Sequence, residues 1–348
     1  MRVQIDGIIY SLQRHGGITV YFNELLQRMR AEEAGDFRVM LYEGSAANFE
    51  LLPASYETRP MRLAERYRRC QVHTQADLFH SSYYRLPDRR VPVVTTVHDF
   101  IYERFAYGPR KWLHSWQKLA AIRESQAVIC ISESTRRDLL QFLPDIRPER
   151  LHVIHNGVSS AFRPLDSVSM NTGIVRPYVL FVGARSGYKN FIPLVQAMAG
   201  LRDLDLVCIG GGALTPQESK LVKRQLGDRF VHHMGVTDVK LNKFYNGAFC
   251  LAYPSAYEGF GIPVLEAMRA GCPVVAMNSS SIPEVAGNAA QLLPEASPEA
   301  LQAAIHRLDQ SGQRENFRQL GLQRATLFSW DRTFAETFKV YEEVRSGY

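Results

Sequence analysis

Residues 253–275 read YPSAYEGFGIPVLEAMRAGCPVV, and the order of residue types in this stretch indicates the fold. An apolar run ends near Pro254, and Pro263 suits the first position of a helix, where its missing N–H has no intrahelical partner. Gly271 suits the end of that helix, and the apolar run CPVV follows. The stretch is therefore predicted to be a strand, a glycine-rich loop, a helix and a second strand.

The same alternation of apolar runs with helical patterns extends through the chain. The other runs are VVTTVHD, AVICIS, RLHVIHNG, YVLFVGA and LDLVCIGG. Buried strands that alternate with helices predict βαβ units in parallel sheets covered on both faces, and therefore an α/β protein. The chain of 348 residues exceeds the usual size of one domain. Because the segment 162–177 is polar and lacks periodicity, two domains are predicted, at 1–165 and 172–329.

The net charge is +6, and part of the excess falls in residues 50–124, where 13 Lys and Arg face 8 Asp and Glu. An anionic ligand or an anionic membrane surface suits this bias, and a solvated basic face is the alternative. Arg110 and Lys111 next to the WLHSW stretch suit lipid headgroups. Trp112 and Trp116, one helical turn apart, suit core packing at least as well. No motif for nucleic acid accompanies the charge.

Cellular location is predicted from the absence of two kinds of segment. The N-terminus runs into a strand pattern without a signal peptide, and no stretch has the eighteen or so apolar residues of a membrane span. The five cysteines show no metal-ligand spacing and are predicted to be buried free thiols. These features favour a cytoplasmic protein.

Two glycines and two carboxylates mark the loop and helix of the opening stretch as a candidate site. Gly259 and Gly261 are predicted at the helix N-terminus, where unpaired amides and the helix dipole favour an anion such as a diphosphate. Glu266 is predicted in the first turn of the helix, and Glu258 in the loop before it. Both then face the carboxyl edge of a parallel sheet, where such folds bind ligands.

Carboxylates repel phosphates, but they accept paired hydrogen bonds from the vicinal hydroxyls of ribose and hexose. Diphosphate, ribose and sugar together indicate a nucleotide sugar. Taken singly, each glutamate is also explained as a partner of a helix dipole or as a surface charge. The Asp-Leu-Asp triplet at 203–205 imitates a metal-binding motif, but it opens a strand pattern, so no metal is assigned.

Glu258 to Gly271 match the pattern E-G-F-G-x-P-x-x-E-A-x-x-x-G, and the chain resembles the family 4 retaining glycosyltransferases on this ground. GGI at 16–18, VHD at 97–99, HNGV at 155–158 and SIPEVAGNAA at 281–290 extend the resemblance over nearly the whole chain. It implies the GT-B fold: an N-terminal Rossmann-like acceptor domain, a C-terminal nucleotide-sugar domain, and a last helix, about 330–348, that crosses back to the first.

The resemblance also assigns roles to matched residues. Glu266 would bind the nucleotide ribose, His98 would lie close to the donor sugar, and Glu258 would hold that sugar. The phosphates would contact a set of loop residues, namely Gly16, Gly17, Gly259, Phe260, Gly261 and Ile262.

Arg185 and Lys189 would supply the cations that stabilise the departing diphosphate. The commonest family pattern places Arg directly after Gly183, whereas this chain has Ala184 there. Arg185 therefore departs from that pattern by one position, and an exposed loop arginine is the alternative.

The pattern looks most like mannosyltransferases of bacterial surface-polysaccharide and O-antigen assembly. We therefore expect retaining transfer of mannose from GDP-mannose to a saccharide or lipid-linked oligosaccharide, with no metal or cofactor and with peripheral contact at the inner membrane face. A UDP- or dTDP-sugar donor is the alternative. A nucleotide-sugar 2-epimerase of the same fold and a silent sugar-nucleotide binding protein are rivals from other classes.

Overall fold

The computed structural model describes residues 1–13, 16–31, 35–45, 55–166 and 172–347. The chain divides into two compact units. The first unit joins Met1–Gly157 to the segment that begins at Trp330, and the second is Val158–Ser329. Over these residues, each unit contains one parallel β-sheet.

In the described residues the first unit has a seven-stranded sheet in the order β3-β2-β1-β4-β5-β6-β7. Its strands are β1 (Arg2–Asp6), β2 (Asp36–Tyr42), β3 (Ser55–Arg59), β4 (Leu78–Ser81), β5 (Val93–Val97), β6 (Ala127–Cys130) and β7 (Leu151–Val153). Its helices are α1 (Ile9–Leu12), α2 (Gly17–Ala31), α3 (Ile101–Phe105), α4 (Pro109–Glu124), α5 (Glu133–Phe142) and the C-terminal helix (Trp330–Ser346).

The described part of the second unit has a six-stranded sheet in the order β10-β9-β8-β11-β12-β13. The strands are β8 (Tyr178–Val182), β9 (Asp205–Ile209), β10 (Phe230–His233), β11 (Cys250–Tyr253), β12 (Val274–Met277) and β13 (Gln291–Leu293). The helices are α6 (Phe191–Gly200), α7 (Pro216–Gln225), α8 (Asp238–Gly247), α9 (Ile262–Ala270), α10 (Ile282–Ala286), α11 (Pro298–Leu308) and α12 (Gln313–Ala325).

The apolar runs form buried strands because helices cover both faces of each sheet. Every residue of β5 and of β9 is buried, as expected for central parallel strands. The prediction of an α/β fold with two Rossmann-like parallel sheets is confirmed. All five cysteines are buried, each as a free thiol.

The C-terminal helix packs into the core of the first unit. Trp330, Phe334 and Tyr341 belong to the same hydrophobic cluster as the strands β1 and β2. The Tyr341 hydroxyl lies 2.6 Å from Nδ1 of His80, and Nε2 of His80 lies 2.9 Å from the Thr96 hydroxyl. Burial lowers the pKa of His80 to about 3, so the imidazole is neutral. Sheet and helix are thus joined by a buried polar chain.

The segment 162–177 does not separate the units as its polarity suggested, because its first residues are anchored to the second unit. Phe162 packs edge-on against Tyr245, with ring centroids 5.8 Å apart. The Arg163 amide donates to Asn242 at 3.1 Å, and the Leu165 amide donates to Asn246 at 2.8 Å. The division therefore falls after Gly157. Among the described residues, no helix is both long and apolar enough to cross a bilayer.

Replacing Tyr341 with Phe is expected to lower the free energy of unfolding of the first unit by about 1–3 kcal/mol, because a buried ring nitrogen of His80 loses its partner. All three tryptophans of the chain lie in this unit, so their fluorescence in a urea titration reports its unfolding. The matched control is Tyr107→Phe, since Tyr107 is 88% exposed. An equally small effect of both substitutions would show that the buried hydrogen bond contributes nothing.

Candidate functional site

Two predicted site residues of the second unit, Lys189 and Glu258, follow neighbouring strands at the point where the strand order reverses. Lys189 lies in a 3-10 turn after β8, and Glu258 lies in the loop after β11. The strands β8 and β11 are hydrogen-bonded neighbours in the middle of the sheet. The crevice at such a reversal is where open parallel sheets bind ligands. The fold therefore brings Lys189 and Glu258 together with α9, which carries Glu266.

Lys189 and Glu258 form an ion pair at this position. Nζ of Lys189 donates to Oε1 of Glu258, and their side chains are only 12% and 9% exposed. The ammonium also lies 5.4 Å from the ring centroids of Tyr188 and Tyr253. A cation and a carboxylate, both shielded from bulk water, therefore sit side by side at the carboxyl edge of the sheet.

Two serines after β12 hold the loop that contains Glu258, and sequence reasoning did not assign them a role. The Glu258 amide donates to the Ser280 hydroxyl at 2.8 Å. The Ser281 hydroxyl lies 3.0 Å from the Glu258 carbonyl and 2.8 Å from the Phe260 carbonyl. The sequence did contain a sign of this role, because three serines at 279–281 follow directly after a buried strand.

The helix after the loop begins one residue earlier than predicted. Gly261 is its N-cap with φ 104°, Ile262 is the first helical residue, and Pro263 is the second. Glu266 consequently lies in the second turn, and the prediction that placed it in the first turn is wrong. Gly271 ends the helix with φ 78°, as predicted.

Gly261 has two reasons to be glycine. Its φ lies in the region that side chains rarely adopt, and a Cβ there would come within 2.6 Å of Cδ1 of Ile282. The amide of Ile262, as the first of a helix, has no intrahelical acceptor. Phe260 turns its ring into the core, 5.9 Å from the ring of Phe328, so only its backbone faces the loop.

Glu266 is half-buried and accepts a hydrogen bond of 2.8 Å from the hydroxyl of Tyr245 on α8. Burial raises the pKa of Glu266 to about 7, and the bond from Tyr245 opposes part of that rise. Burial and the nearby carboxylate of Glu266 raise the pKa of Tyr245 well above its usual value. Tyr245 escaped sequence reasoning because it lies within an ordinary apolar helix face.

Arg185 has a different environment from Lys189. Its side chain is 3% exposed, and Nε pairs with Glu218 at 3.2 Å. The remaining nitrogens donate to the carbonyls of a neighbouring loop, namely those of Gly210, Gly211, Gly212 and Ala213, at 2.8–3.1 Å. The alternative of an exposed loop arginine is wrong. The role of Arg185 as a cation for the diphosphate stays a prediction. In the structure, its guanidinium is bound by Glu218 and by the loop carbonyls.

His98 lies in the first unit, directly after β5, and is 5% exposed. Burial, with smaller contributions from His80 and Lys118, lowers the pKa of His98 to about 3, so the ring is neutral. Within the part of the chain that the structure describes, its Nε2 is buried without a hydrogen-bond partner. A buried polar atom is costly when it lacks a partner, and the contact of His98 with the donor sugar stays a prediction.

The turn that carries His98 rests on α4. Lys118 of α4 donates to the carbonyl of Asp99 and lies 3.0 Å from the carboxylate of Glu103. Tyr84, a non-glycine residue with φ 58°, hydrogen-bonds the backbone of His98. These contacts position the turn from two sides.

Gly16 and Gly17 also lie in the first unit. Gly17 is the first residue of α2, and the Gly16 carbonyl accepts from the Val20 amide at 3.0 Å. Their predicted contact with a diphosphate stays a prediction. Among the described residues, no group of three His, Cys, Asp or Glu side chains is arranged to hold a metal ion.

The protonation of Glu266 should make the stability of the second unit depend on pH. Because the folded-state pKa of about 7 exceeds the ordinary value of 4.5, the folded protein binds the extra proton between these pH values. The free energy of unfolding should therefore fall as pH rises from 4.5 to 7, by about 2–3 kcal/mol.

Glu266→Gln should remove this fall, as measured by urea denaturation followed by circular dichroism. Tyr245→Phe should move the upper end of the pH window higher, because the bond that lowers the pKa is lost. A pH dependence that is identical in wild type and Glu266→Gln would contradict the assignment.

Comparison with known protein families identifies both halves of the chain. Residues 15–162 match the model of Glycosyltransferase Family 4, and residues 172–324 match the model of Glycosyl transferases group 1. The O-antigen chain mannosyltransferase B of Escherichia coli is 27% identical over 328 residues, which are 86% of this chain and 85% of that protein. The alpha-maltose-1-phosphate synthase of Mycolicibacterium smegmatis is 31% identical over 258 residues, 66% of each protein.

Solved structures share the fold over the whole chain. The sucrose-phosphate synthase of Thermosynechococcus elongatus is 17% identical with a TM-score of 0.81, and the alignment covers 100% of both chains. HepE of Anabaena, solved in complex with UDP-glucose, is 16% identical with a TM-score of 0.77 over 99% of this chain and 100% of that one. The predicted GT-B fold class is confirmed by these neighbours. The two family matches and the relatives together show that the chain is an enzyme that belongs to the family 4 glycosyltransferases.

Proposed function

We propose that this glycosyltransferase is a retaining, metal-independent enzyme that moves mannose from GDP-mannose to a saccharide or lipid-linked oligosaccharide of O-antigen type. The observation that supports this site for glycosyl transfer is the shielded ion pair of Lys189 and Glu258 at the carboxyl edge of the second sheet. The choice of mannose is supported by the name of the E. coli relative, which aligns with 86% of this chain.

In this proposal the ion pair exchanges its partners when the donor binds. The ammonium of Lys189 turns to the diphosphate, and the carboxylate of Glu258 accepts hydrogen bonds from hydroxyls of the sugar. The amides around Gly261 and Ile262 contact the phosphates, because they stand at the start of α9. The same residues that stabilise each other in the free protein thus bind opposite ends of one ligand.

Glu266 and His98 complete the proposed donor contacts. The Tyr245 hydroxyl fixes one oxygen of Glu266, which leaves the other for the ribose hydroxyls. The neutral ring of His98 offers Nε2 to a hydroxyl of the transferred sugar. Because the pKa of His98 is near 3, its charge does not change at neutral pH.

The proposed chemistry proceeds on one face of the sugar. The bond between the anomeric carbon and the diphosphate oxygen breaks, and the acceptor hydroxyl forms its bond to that carbon on the same face. The acceptor proton passes to the departing phosphate oxygen. Lys189 stabilises the negative charge that grows on the diphosphate as the bond breaks.

Lys189→Met is expected to lower the transfer rate about 10²–10³-fold, because the growing charge loses its cation. The rate is measured with GDP-mannose and candidate lipid-linked acceptors, with product identified by mass spectrometry. Lys223→Met, an exposed lysine on α7, is the matched control and should leave the rate unchanged.

Arg185→Met provides a second comparison. It should lower the free energy of unfolding of the second unit, because four loop carbonyls and Glu218 lose their donor. If Arg185→Met abolished transfer in a protein as stable as wild type while Lys189→Met transferred normally, the roles given to the two cations would be reversed.

The donor base is tested by isothermal titration of the protein with GDP, UDP, ADP and dTDP. We expect GDP to bind at least roughly tenfold more tightly than the others, a difference of about 1.4 kcal/mol. Selective binding of UDP or dTDP would overturn the GDP-mannose assignment without affecting glycosyl transfer. Conversion of a nucleotide sugar to its 2-epimer without any acceptor would instead show the epimerase.

A further inference from the structure

The outer face of α4 exposes two tryptophans to solvent. Trp112 is 74% exposed and Trp116 is 70% exposed, and Leu113 beside them is 45% exposed. The opposite face of the helix is buried through His114 and Lys118. Core packing, one of the two explanations that the sequence left open, is therefore wrong for both tryptophans. We call Trp112, Leu113 and Trp116 the α4 outer face.

A basic segment runs beside this face. Residues 59–69 contain five arginines, at 59, 62, 66, 68 and 69, and one acid, Glu65. The segment contacts α4 at Arg66, whose carbonyl accepts from Nε2 of Gln117 at 2.6 Å and whose guanidinium lies 3.4 Å from Nδ1 of His114. It adds apolar side chains of its own, since Leu63 is 91% exposed and Met61 is 41% exposed.

Two acids near this surface pair with buried cations, whereas Glu57 lies 3.3 Å from Arg59 and so pairs with an arginine of the segment. Glu65 pairs at 2.8 Å with Arg85, which is itself fully buried, and Glu103 pairs at 3.0 Å with the buried Lys118. Glu124 at the end of α4 likewise lies 3.7 Å from Arg69 of the segment, so two of the five arginines have acidic neighbours. The guanidinium of Arg62 makes no hydrogen bond or ion pair within the described residues. The charge presented outward is therefore positive.

We infer that the α4 outer face and the segment 59–69 dock on the surface of an anionic phospholipid bilayer. Tryptophan and exposed aliphatic side chains enter the interface between headgroups and acyl chains, where indole rings are favoured. Arginines on the same surface pair with lipid phosphates, each adding roughly fivefold to the binding. The mixture of rings and guanidinium groups on one surface complements a layer that is apolar inside and negative outside.

The test uses the whole protein and vesicles of phosphatidylethanolamine with about 30% phosphatidylglycerol, beside vesicles without the anionic lipid. The protein should float with the anionic vesicles and remain behind with the neutral ones. The double variant Trp112→Ala, Trp116→Ala should lose at least roughly tenfold in partitioning, because the rings that insert are gone. Arg62→Glu with Arg68→Glu should lose at least as much, and added salt should weaken wild-type binding.

Tryptophan fluorescence gives a direct readout of insertion. The chain has three tryptophans, and Trp330 is 2% exposed in the core. Lipids with brominated acyl chains should therefore quench the wild-type protein through Trp112 and Trp116, and should leave the double variant unquenched. The matched control removes exposed apolar side chains elsewhere, Ile192→Ala with Val239→Ala on the second unit, and should bind vesicles as wild type does.

Three outcomes would overturn the inference. The first is equal binding of the wild type to neutral and anionic vesicles, and the second is undiminished binding of the double variant. The third is a wild-type protein that self-associates and that the tryptophan substitutions dissociate, since a second copy would then cover this face. Circular dichroism and the urea midpoint establish that each variant is folded, since the substituted side chains lie on the surface.

Discussion

The cost of removing charge from water governs the site. Glu258 and Glu266 both stand at the carboxyl edge of the second sheet, and a bare carboxylate there would be expensive. The two carboxylates have different partners: Glu258 pairs with the ammonium of Lys189, whereas Glu266 has its pKa raised to about 7 and accepts a hydrogen bond from Tyr245. A counter-charge stands beside one carboxylate, and the other binds a proton at a higher pH than an exposed glutamate does.

Under the proposed function, this difference would let one loop and one helix bind a ligand that is both anionic and rich in hydroxyls. An ion pair can open toward such a ligand, because each partner finds a replacement in it. A carboxylate that is already fixed by a tyrosine keeps its orientation in the absence of ligand. Ser280 and Ser281 fix the intervening backbone, so that the loop does not depend on the ligand for its shape.

Local features of the site were predictable because they follow from a residue and its immediate neighbours. The φ of Gly271, the glycine-rich loop and the alternation of strands and helices are of this kind. The predicted start of α9 at Pro263 was one residue too late because Gly261, and not Ile262, is the N-cap, and this places Glu266 in the second turn.

Contacts between elements that are distant in the sequence could not be predicted from it. The Tyr245 hydroxyl, the loop carbonyls around Arg185 and the exposure of Trp112 depend on how helices and strands pack. The spacing of Trp112 and Trp116 is the same whether a helix turns that face inward or outward. Only the packing of the buried face, through Lys118 and His114, distinguishes the two cases.

The position of Lys118 has a geometric consequence. It supports the turn of His98 from one side of α4, while the tryptophans point away on the other. If a bilayer covers the tryptophans, the turn stands above the headgroups by about the thickness of one helix, roughly 10–12 Å. The diameter of α4 would then set the height of the His98 turn above the lipid surface. Acceptors would be selected by the distance between their sugar end and that surface.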